Sequence, residues 1–135
     1  MSRALNAKII AANAALITHN DVDAVSEFFS PDYAVHLTGQ RIALGHDGVR
    51  RILRLNRRAF PDLQIEVEIL VSAKDRVAWQ RTFRATHKGD FKGFPATGRS
   101  IVWREMVTSR FHDGLIAEEW LISDLAERLL LARKR

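Results

Sequence analysis

The 135-residue sequence contains no cysteine. Disulfide bonds and thiolate zinc sites are therefore excluded, and the chain is compatible with a reducing compartment such as the cytoplasm. No apolar run reaches the length of a membrane span, and Asn6, Lys8 and Asn13 interrupt the N-terminal stretch before a signal-peptide core can form. With 47% hydrophobic residues, a chain of this length is expected to form one domain, residues 1–135, in the cytoplasm and without membrane contact.

Several catalytic signatures are also absent. The sequence has no Gly-rich phosphate loop followed by Lys, no His-Glu-x-x-His and no Gly-x-Ser-x-Gly. The five histidines lack metal-ligand spacing; they are His19, His36, His46, His87 and His112. We therefore expect no metal and no cofactor. What remains is general acid/base chemistry by a carboxylate or an imidazole inside an apolar cavity.

The net charge of +5 raises the question of a nucleic-acid partner. Much of the positive charge lies in Arg50–Phe60, "RRILRLNRRAF", and in the terminal "ARKR". In the first segment the basic residues alternate with apolar ones at helical spacing, which is typical of a solvated helix face. No nucleic-acid-binding motif accompanies the charge, so we expect no nucleic-acid partner, although basic residues can also draw an anionic substrate to a pocket.

Hydrophobic periodicity predicts helices in the first half of the chain. An apolar stripe indicates one helix over about Leu5–Ile17, and a short second helix follows Asn20 or Asp21 and stops at Pro31. "YAVHLTG" predicts a short strand, and a third helix begins near Asp47 and ends at Pro61.

After Pro61 the period changes to two. Two long strands flank "SAKDR", and two more, "SIVWREMVTSRF" and "LIAEEWLISD", flank the hairpin turn "HDG" before a last short helix. Helices followed by antiparallel strands predict an α+β fold. Apolar residues at both parities, such as Trp103 and Met106, predict a sheet covered on both faces. Because the helices can cover only one face, we expect a homodimer through the other.

Asp124 is the leading candidate for acid/base catalysis. On an extended strand Trp120, Ile122 and Asp124 share one face, and apolar surroundings would raise the pKa of the Asp124 carboxyl toward neutrality. The alternative is that Asp124 is the N-cap of the terminal helix.

Other candidates lie on the remaining strands. His87, just before Gly89, could hydrogen-bond a substrate carbonyl or simply anchor a loop. Arg81 stands between Trp79 and Phe83 on one strand face, and is either paired with an acid such as Glu105 or turned towards an anionic ligand group. His36 and Trp120 are candidate pocket-wall residues, with core packing as the alternative.

Three segments together resemble the SnoaL-like polyketide cyclases, a branch of the NTF2-like superfamily. They are Phe60-Pro61-Asp62, the loop "THKGDFKGFPATGRS", and "RFHDG" leading to "EEWLISD". The similarity runs from about Ala59 to Leu125. It departs from the family pattern at Ala85, where Gly is usual, and at Pro95-Ala96, where a Pro pair is common.

The resemblance implies an α+β NTF2-like cone, in which a curved antiparallel sheet wraps around N-terminal helices and a deep apolar pocket, with dimers formed through the sheet. It also implies intramolecular aldol-type ring closure of a small hydrophobic carbonyl compound without metal or cofactor. The proton-shuttling aspartate of the family matches Asp124, and His87 falls in the pocket or at its rim. The Thr86–Ser100 loop is expected to shape the pocket entrance or the dimer contact.

Two other functional classes remain open at this point. The same pocket could bind a hydrophobic ligand, or the sheet face a partner, without catalysis. The same scaffold could also carry isomerase or hydrolase chemistry.

Overall fold

The computed structural model describes residues 2–133, which form four helices and six strands. The helices are α1 (Ser2–Asn13), α2 (Val25–Phe28), α3 (Gly45–Ala59) and α4 (Leu125–Arg133). The strands are β1 (Phe29–Leu37), β2 (Gln40–Ala43), β3 (Gln64–Ala73), β4 (Arg76–Thr86), β5 (Ser100–His112) and β6 (Leu115–Ser123). A π-helical turn, Ala14–Thr18, continues α1, and a 3₁₀ turn, Val22–Ala24, precedes α2.

The strands form one curved sheet in the order β2-β1-β6-β5-β4-β3. All neighbours are antiparallel except β1 and β6, which are parallel. The register places Arg81 opposite Glu105 and Ser109 opposite Glu119. Since alternate residues of a strand face the same side, these four side chains share the inner face of the sheet, which the helices cover. The predicted α+β class and curved sheet are confirmed.

Two hydrophobic clusters fill the inner side. The larger lies beneath α1 and α3 and includes Ile9, Val49, Trp79 and Val107. The smaller surrounds Phe60, which is fully buried, and extends to Leu129 of α4. This division leaves the middle of the inner face, between the two clusters, to polar side chains of β4, β5 and β6.

The outer face carries exposed apolar side chains. Ile122 is 76% exposed and Met106 is 54% exposed, and the register pairs these two residues across β5 and β6. Val71 of β3 is 62% exposed on the same sheet. The expectation of apolar residues on both faces therefore holds at the level of side-chain placement.

The first half of the chain differs from its prediction at two places. Pro31 lies within β1 rather than at the end of a helix. The strand tolerates proline here because the pairing of β1 with β6 is interrupted between Phe29 and Ala34, so Pro31 does not need to donate a backbone hydrogen bond. The strand β2 was missed. It pairs with β1 through a tight turn in which Thr38 and Gly39 both adopt positive φ. The strand is too short, and has too few apolar residues, to show a strand pattern in the sequence.

No helix within residues 2–133 is long and apolar enough to cross a membrane.

Candidate active site

A concavity of about 1240 Å³ lies against the sheet, with side chains of α1, α3 and the strands around it. Its lining residues come from both faces of the sheet and therefore form two parts. We call the part between the helices and the inner face the inner chamber. Its polar lining residues include Asn13, Tyr33, Arg81, Glu105 and Glu119, and Asn56 and Arg57 of α3 also line the concavity. We call the part on the opposite face the outer groove; it includes His36, Ala78, Met106, Thr108, Trp120 and Ile122.

Glu119 of β6 is buried at the wall of the inner chamber. Tyr33 donates its hydroxyl proton to Oε1 of Glu119 at 2.7 Å, and Ser109 donates to Oε2. Trp79 in turn donates its indole N–H to the Ser109 hydroxyl at 2.9 Å, which fixes the direction of the serine proton. The carboxyl group is thus held by two neutral hydroxyl donors, and no cation of the described chain hydrogen-bonds to it.

Burial raises the pKa of the Glu119 carboxyl above its usual value. The hydrogen bonds from Ser109 and Tyr33 and the charge of Arg81 offset part of this increase, whereas the negative charge of Glu105 adds to it. The pKa of the Tyr33 hydroxyl is also raised well above its usual value, first by burial and then by Glu119. Glu119 is therefore a stronger base than an exposed glutamate, and Tyr33 stays protonated as a donor.

Arg81 and Glu105 form an ion pair beside this network. The Nε and Nη2 atoms of Arg81 both donate to Oε1 of Glu105, at 2.9 and 2.7 Å, and the Nη1 atom donates to the Asn13 side-chain oxygen at 2.9 Å. The guanidinium also lies 5.1 Å from the Trp79 ring centre and 5.0 Å from that of Phe83. Of the two interpretations left open by the sequence, the structure shows the pairing with Glu105.

Asn13 reaches the chamber from the last residue of α1. Its amide nitrogen donates to the Ile9 carbonyl at 2.9 Å, which orients the side-chain oxygen towards Arg81. The π-helical turn begins at the next residue, Ala14, and such turns occur frequently at functional sites. Helix α1 therefore supplies a polar group where its regular hydrogen-bond ladder ends.

Asp124 lies at the junction of β6 and α4, and it is not among the residues that line the concavity. Its Oδ1 atom accepts the backbone N–H of Arg104 at 2.8 Å, and its Oδ2 atom accepts from Arg128 Nε at 3.2 Å. The Asp124 carbonyl accepts the N–H of Arg128 in α4. These contacts connect β5 to the start of α4. The catalytic role of Asp124 stays a prediction, since Asp124 does not line the chamber.

Trp120 and Ile122 do not enclose a buried carboxylate as the strand parity had suggested, because both face the outer groove. Trp120 is stacked on His36, with ring centres 4.8 Å apart and planes at 7°, and the Arg76 guanidinium lies 4.9 Å from its ring. His36 is 2.6 Å from Oε2 of Glu118. These three predicted binding residues therefore line the concavity on the face opposite Glu119, while Arg81 lines the inner chamber.

His87 is fully buried next to Phe60, with ring centres 5.4 Å apart. The backbone N–H of Thr97 donates to Nδ1 of His87 at 3.3 Å, so the neutral ring carries its proton on Nε2, which has no hydrogen-bond partner within residues 2–133. Burial lowers the pKa of His87, and contacts with the Gly89 backbone and Asp90 offset this only in part. His87 does not line the concavity, so the structure favours the loop-anchoring alternative.

The segment of residues 87–99, which we call the rim loop, reaches the chamber through Phe91 and Phe94. These two residues pair with each other through two backbone hydrogen bonds across a tight turn. Gly89 is pressed against α3, where an added Cβ would lie 2.7 Å from the Arg58 carbonyl oxygen. The expectation that this loop shapes the pocket entrance agrees with these contacts.

The sequence argument missed Glu119, Tyr33, Ser109 and Asn13. The alternation along β6 gives no signal that singles out Glu119, because Glu119 lies between Ala117 and Leu121 just as Glu118 lies between Ile116 and Trp120. The two glutamates have opposite parities, and only the strand register decides which of the two points inward. No three carboxylate or imidazole groups in the described part of the chain converge into a metal site.

The buried state of His87 predicts a specific pH dependence of stability. Because its pKa is lowered in the fold, the unfolded chain takes up the proton first; the stability contributed by neutral His87 is complete above about pH 6.5 and is lost as the pH falls through the folded-state pKa. His87→Asn, which keeps an acceptor near the Thr97 amide, should lose less stability than the wild type between pH 7.5 and pH 5. Urea unfolding at both pH values measures this. Equal losses would contradict the prediction, and His19→Asn, which removes an exposed imidazole, is the control.

A family model, SnoaL-like polyketide cyclase, matches residues 7–130. A SnoaL-like polyketide cyclase from Agrobacterium tumefaciens is 30% identical with a TM-score of 0.79, and the match covers 93% of this chain and 97% of that one. AclR from Streptomyces galilaeus, a suggested hydroxylase, is 28% identical with a TM-score of 0.85, over 100% of this chain and 88% of that one. IdmH from Streptomyces antibioticus, a suggested polyketide cyclase, is 27% identical with a TM-score of 0.80, over 97% and 99%.

No curated protein is detectably similar in sequence. The family match nevertheless spans nearly all of the described chain. The chain belongs to the SnoaL-like polyketide cyclase family.

Proposed function

We propose that this protein is a cyclase-type enzyme in which Glu119 is the general acid/base for a hydrophobic carbonyl compound held in the inner chamber. The observation that carries the proposal is a buried carboxyl group with a raised pKa, hydrogen-bonded by two hydroxyl groups, at the wall of a mostly apolar chamber. Perturbed acids in concave apolar sites are good candidates for catalysis.

The proposed reaction begins with proton abstraction. Ionised Glu119 removes a proton from the carbon next to a carbonyl group, and the electron pair of the broken C–H bond forms an enolate. Arg81 donates three of its five N–H groups to Glu105 and Asn13, so two N–H groups remain to stabilise the enolate oxygen. Tyr33 and Ser109 orient the carboxyl group.

Ring closure follows when the enolate carbon attacks a second carbonyl group of the same molecule. A C–C bond forms, the attacked carbonyl becomes an alkoxide, and protonated Glu119 returns its proton to that oxygen. The atoms and charges balance without another reactant. The apolar walls keep bulk water from protonating the enolate first.

Binding without turnover is the second candidate function. It is favoured by the pairing of Arg81 with Glu105, because this ion pair uses the most obvious electrophilic group of the chamber in a structural contact. The two candidates differ in what Glu119 does, since a ligand-binding protein needs no proton transfer there.

Glu119→Gln should abolish proton exchange at carbon while Asp124→Asn should preserve it. A suitable probe is 2-tetralone, because its α-protons are acidic. NMR in D₂O follows the exchange of these protons for deuterium directly. We expect the Glu119→Gln rate to fall by a factor of about 10² or more, as for loss of a general base. Asp124→Asn should instead lower the unfolding free energy by about 1 kcal/mol, since it weakens the contacts to Arg104 and Arg128.

Glu66→Gln is the matched control, because it makes the same chemical change on an exposed side chain of β3. If Glu119→Gln retained wild-type exchange, Glu119 would not be the base. If Asp124→Asn alone lost exchange in a correctly folded protein, the aspartate assignment from family resemblance would be the right one.

We also propose that the outer face forms a homodimer. The exposed pair Ile122 and Met106 lies beside Trp120, and the groove around them is largely apolar. Exposed apolar surface of this kind on a sheet is typical of a subunit interface, and a twofold axis would place the same patch on both sides.

Ile122→Glu should shift the protein from dimer to monomer in sedimentation velocity, because two carboxylates would face each other across an apolar interface. Ile10→Glu is the matched control: Ile10 is a similarly exposed isoleucine, 53% accessible, on α1 and away from the sheet. A dimer that persists in Ile122→Glu, or a wild type that is monomeric at micromolar concentration, would contradict the proposed interface.

A further inference from the structure

We propose that the inner chamber selects its ligand by charge: it accepts uncharged or cationic molecules that present a hydrogen-bond donor, it rejects carboxylates, and Glu105 is the residue that sets this selectivity. The inference rests on the proposed function only in placing the ligand in the inner chamber. It does not depend on whether Glu119 transfers a proton.

The charged groups around the concavity differ in whether a ligand in the chamber can contact them. Arg57 donates to the carbonyl groups of Ile17 and Pro61, which lie at the ends of neighbouring elements. Lys92 is exposed on the rim loop and lies over the Phe91 ring, 5.5 Å from its centre. Arg57 and Arg81 both line the concavity, and of these two Arg81 is the one that hydrogen-bonds to Asn13 and Glu105. The carboxyl groups at this polar end are those of Glu105 and Glu119.

The charge of Arg81 is already neutralised by its ion pair with Glu105. Its side chain is 17% exposed and that of Glu105 is 13% exposed, so the pair is shielded from water and from screening by salt. A ligand carboxylate could bind the two N–H groups of Arg81 that Glu105 and Asn13 leave free, or it could displace Glu105. The first arrangement places a third carboxyl group beside Glu105 and Glu119, the second leaves Glu105 buried without its partner, and both are costly.

Glu105 also offers an acceptor. Both hydrogen bonds from Arg81 go to Oε1, and no donor among residues 2–133 is found for Oε2. Oε2 keeps some accessible surface, and Glu105 is one of the residues that line the chamber. A ligand hydroxyl or ammonium group satisfies this oxygen, whereas a ligand carboxylate repels it.

The charge inside the chamber and the charge of the whole protein therefore favour different ligands. The whole chain carries a net charge of +5, which by itself favours anionic ligands. At the polar end of the chamber, the net charge of Arg81, Glu105 and Glu119 is zero when Glu119 is protonated and negative when Glu119 is ionised. Long-range attraction and local selection thus have opposite signs, and the local groups, being buried, decide which ligand stays bound.

Three probes with one ring system test the proposal: 2-naphthylmethanol, 2-naphthylmethylamine and 2-naphthoate, titrated calorimetrically into the wild type at pH 7. We expect the alcohol and the amine to bind, and the carboxylate to bind at least about 30-fold more weakly than the alcohol, in line with the cost of an unmatched buried charge. This comparison needs no variant. Carboxylate binding as tight as alcohol binding, or no binding of the alcohol, would overturn the proposal.

Glu105→Gln sharpens the test because it frees the Arg81 cation while keeping the size of the side chain. The variant should bind 2-naphthoate at least about tenfold more tightly than the wild type and the amine more weakly, and Glu66→Gln should leave all three affinities unchanged. An unchanged order of affinities in folded Glu105→Gln would assign the selectivity elsewhere and contradict the role of Glu105.

Glu119→Gln separates this proposal from the proposed function. If Glu119 is the base, the variant loses proton exchange but still rejects the carboxylate, because Glu105 and Arg81 remain paired. Exchange that survives in Glu119→Gln, together with rejection of 2-naphthoate, would sink the catalytic proposal and leave charge selection standing.

Discussion

One guanidinium and two carboxyl groups lie on the inner face of a single sheet, largely out of contact with water, and the cost of burying them constrains the structure around them. Removing any one partner from such a set leaves an uncompensated charge or an unpaired polar atom. The register of β4 against β5 places Arg81 opposite Glu105, and that of β5 against β6 places Ser109 opposite Glu119. A shift of either register by one residue would turn these groups outward and break the network. Helix α1 completes the set by adding Asn13.

The residues that identify the family serve mainly to build the scaffold around this network. Asp62 accepts the backbone N–H and the hydroxyl of Thr86, both at 2.7 Å, and these bonds lower the pKa of the Asp62 carboxyl. Phe60 packs on His87, and His87 in turn holds Thr97 of the rim loop. The motifs thus fix the second hydrophobic cluster and the loop beside the chamber. The polar chamber groups lie mostly outside the motifs, which is why family membership indicates the fold more firmly than the chemistry.

Much of the fold was predictable because its signals are local. The change from helical to strand periodicity after Pro61, and the Asp-Gly hairpin between β5 and β6, placed the four long strands. The site was less accessible to sequence reasoning, since its geometry depends on register. The sequence offers Glu105 as a partner of Arg81 because a cation between Trp79 and Phe83 on one strand face calls for an acid or an anionic ligand. It indicates Asp124 because this residue shares its parity with Trp120 and Ile122, but parity alone does not say which face of β6 meets the helices. The irregular pairing at Arg110 and Phe111 adds a further shift that no local pattern predicts.

The most direct test of the account is the titration of Glu119 itself. The side-chain carboxyl carbon of ¹³C-labelled glutamate reports ionisation by NMR, and comparison with Glu119→Gln assigns the signal of this residue. The account predicts a titration midpoint above 4.5, the usual value for glutamate, because burial disfavours the carboxylate more than Tyr33, Ser109 and Arg81 stabilise it. A midpoint at or below that value would contradict the central claim, since it would show a solvated or tightly ion-paired carboxylate with no particular strength as a base.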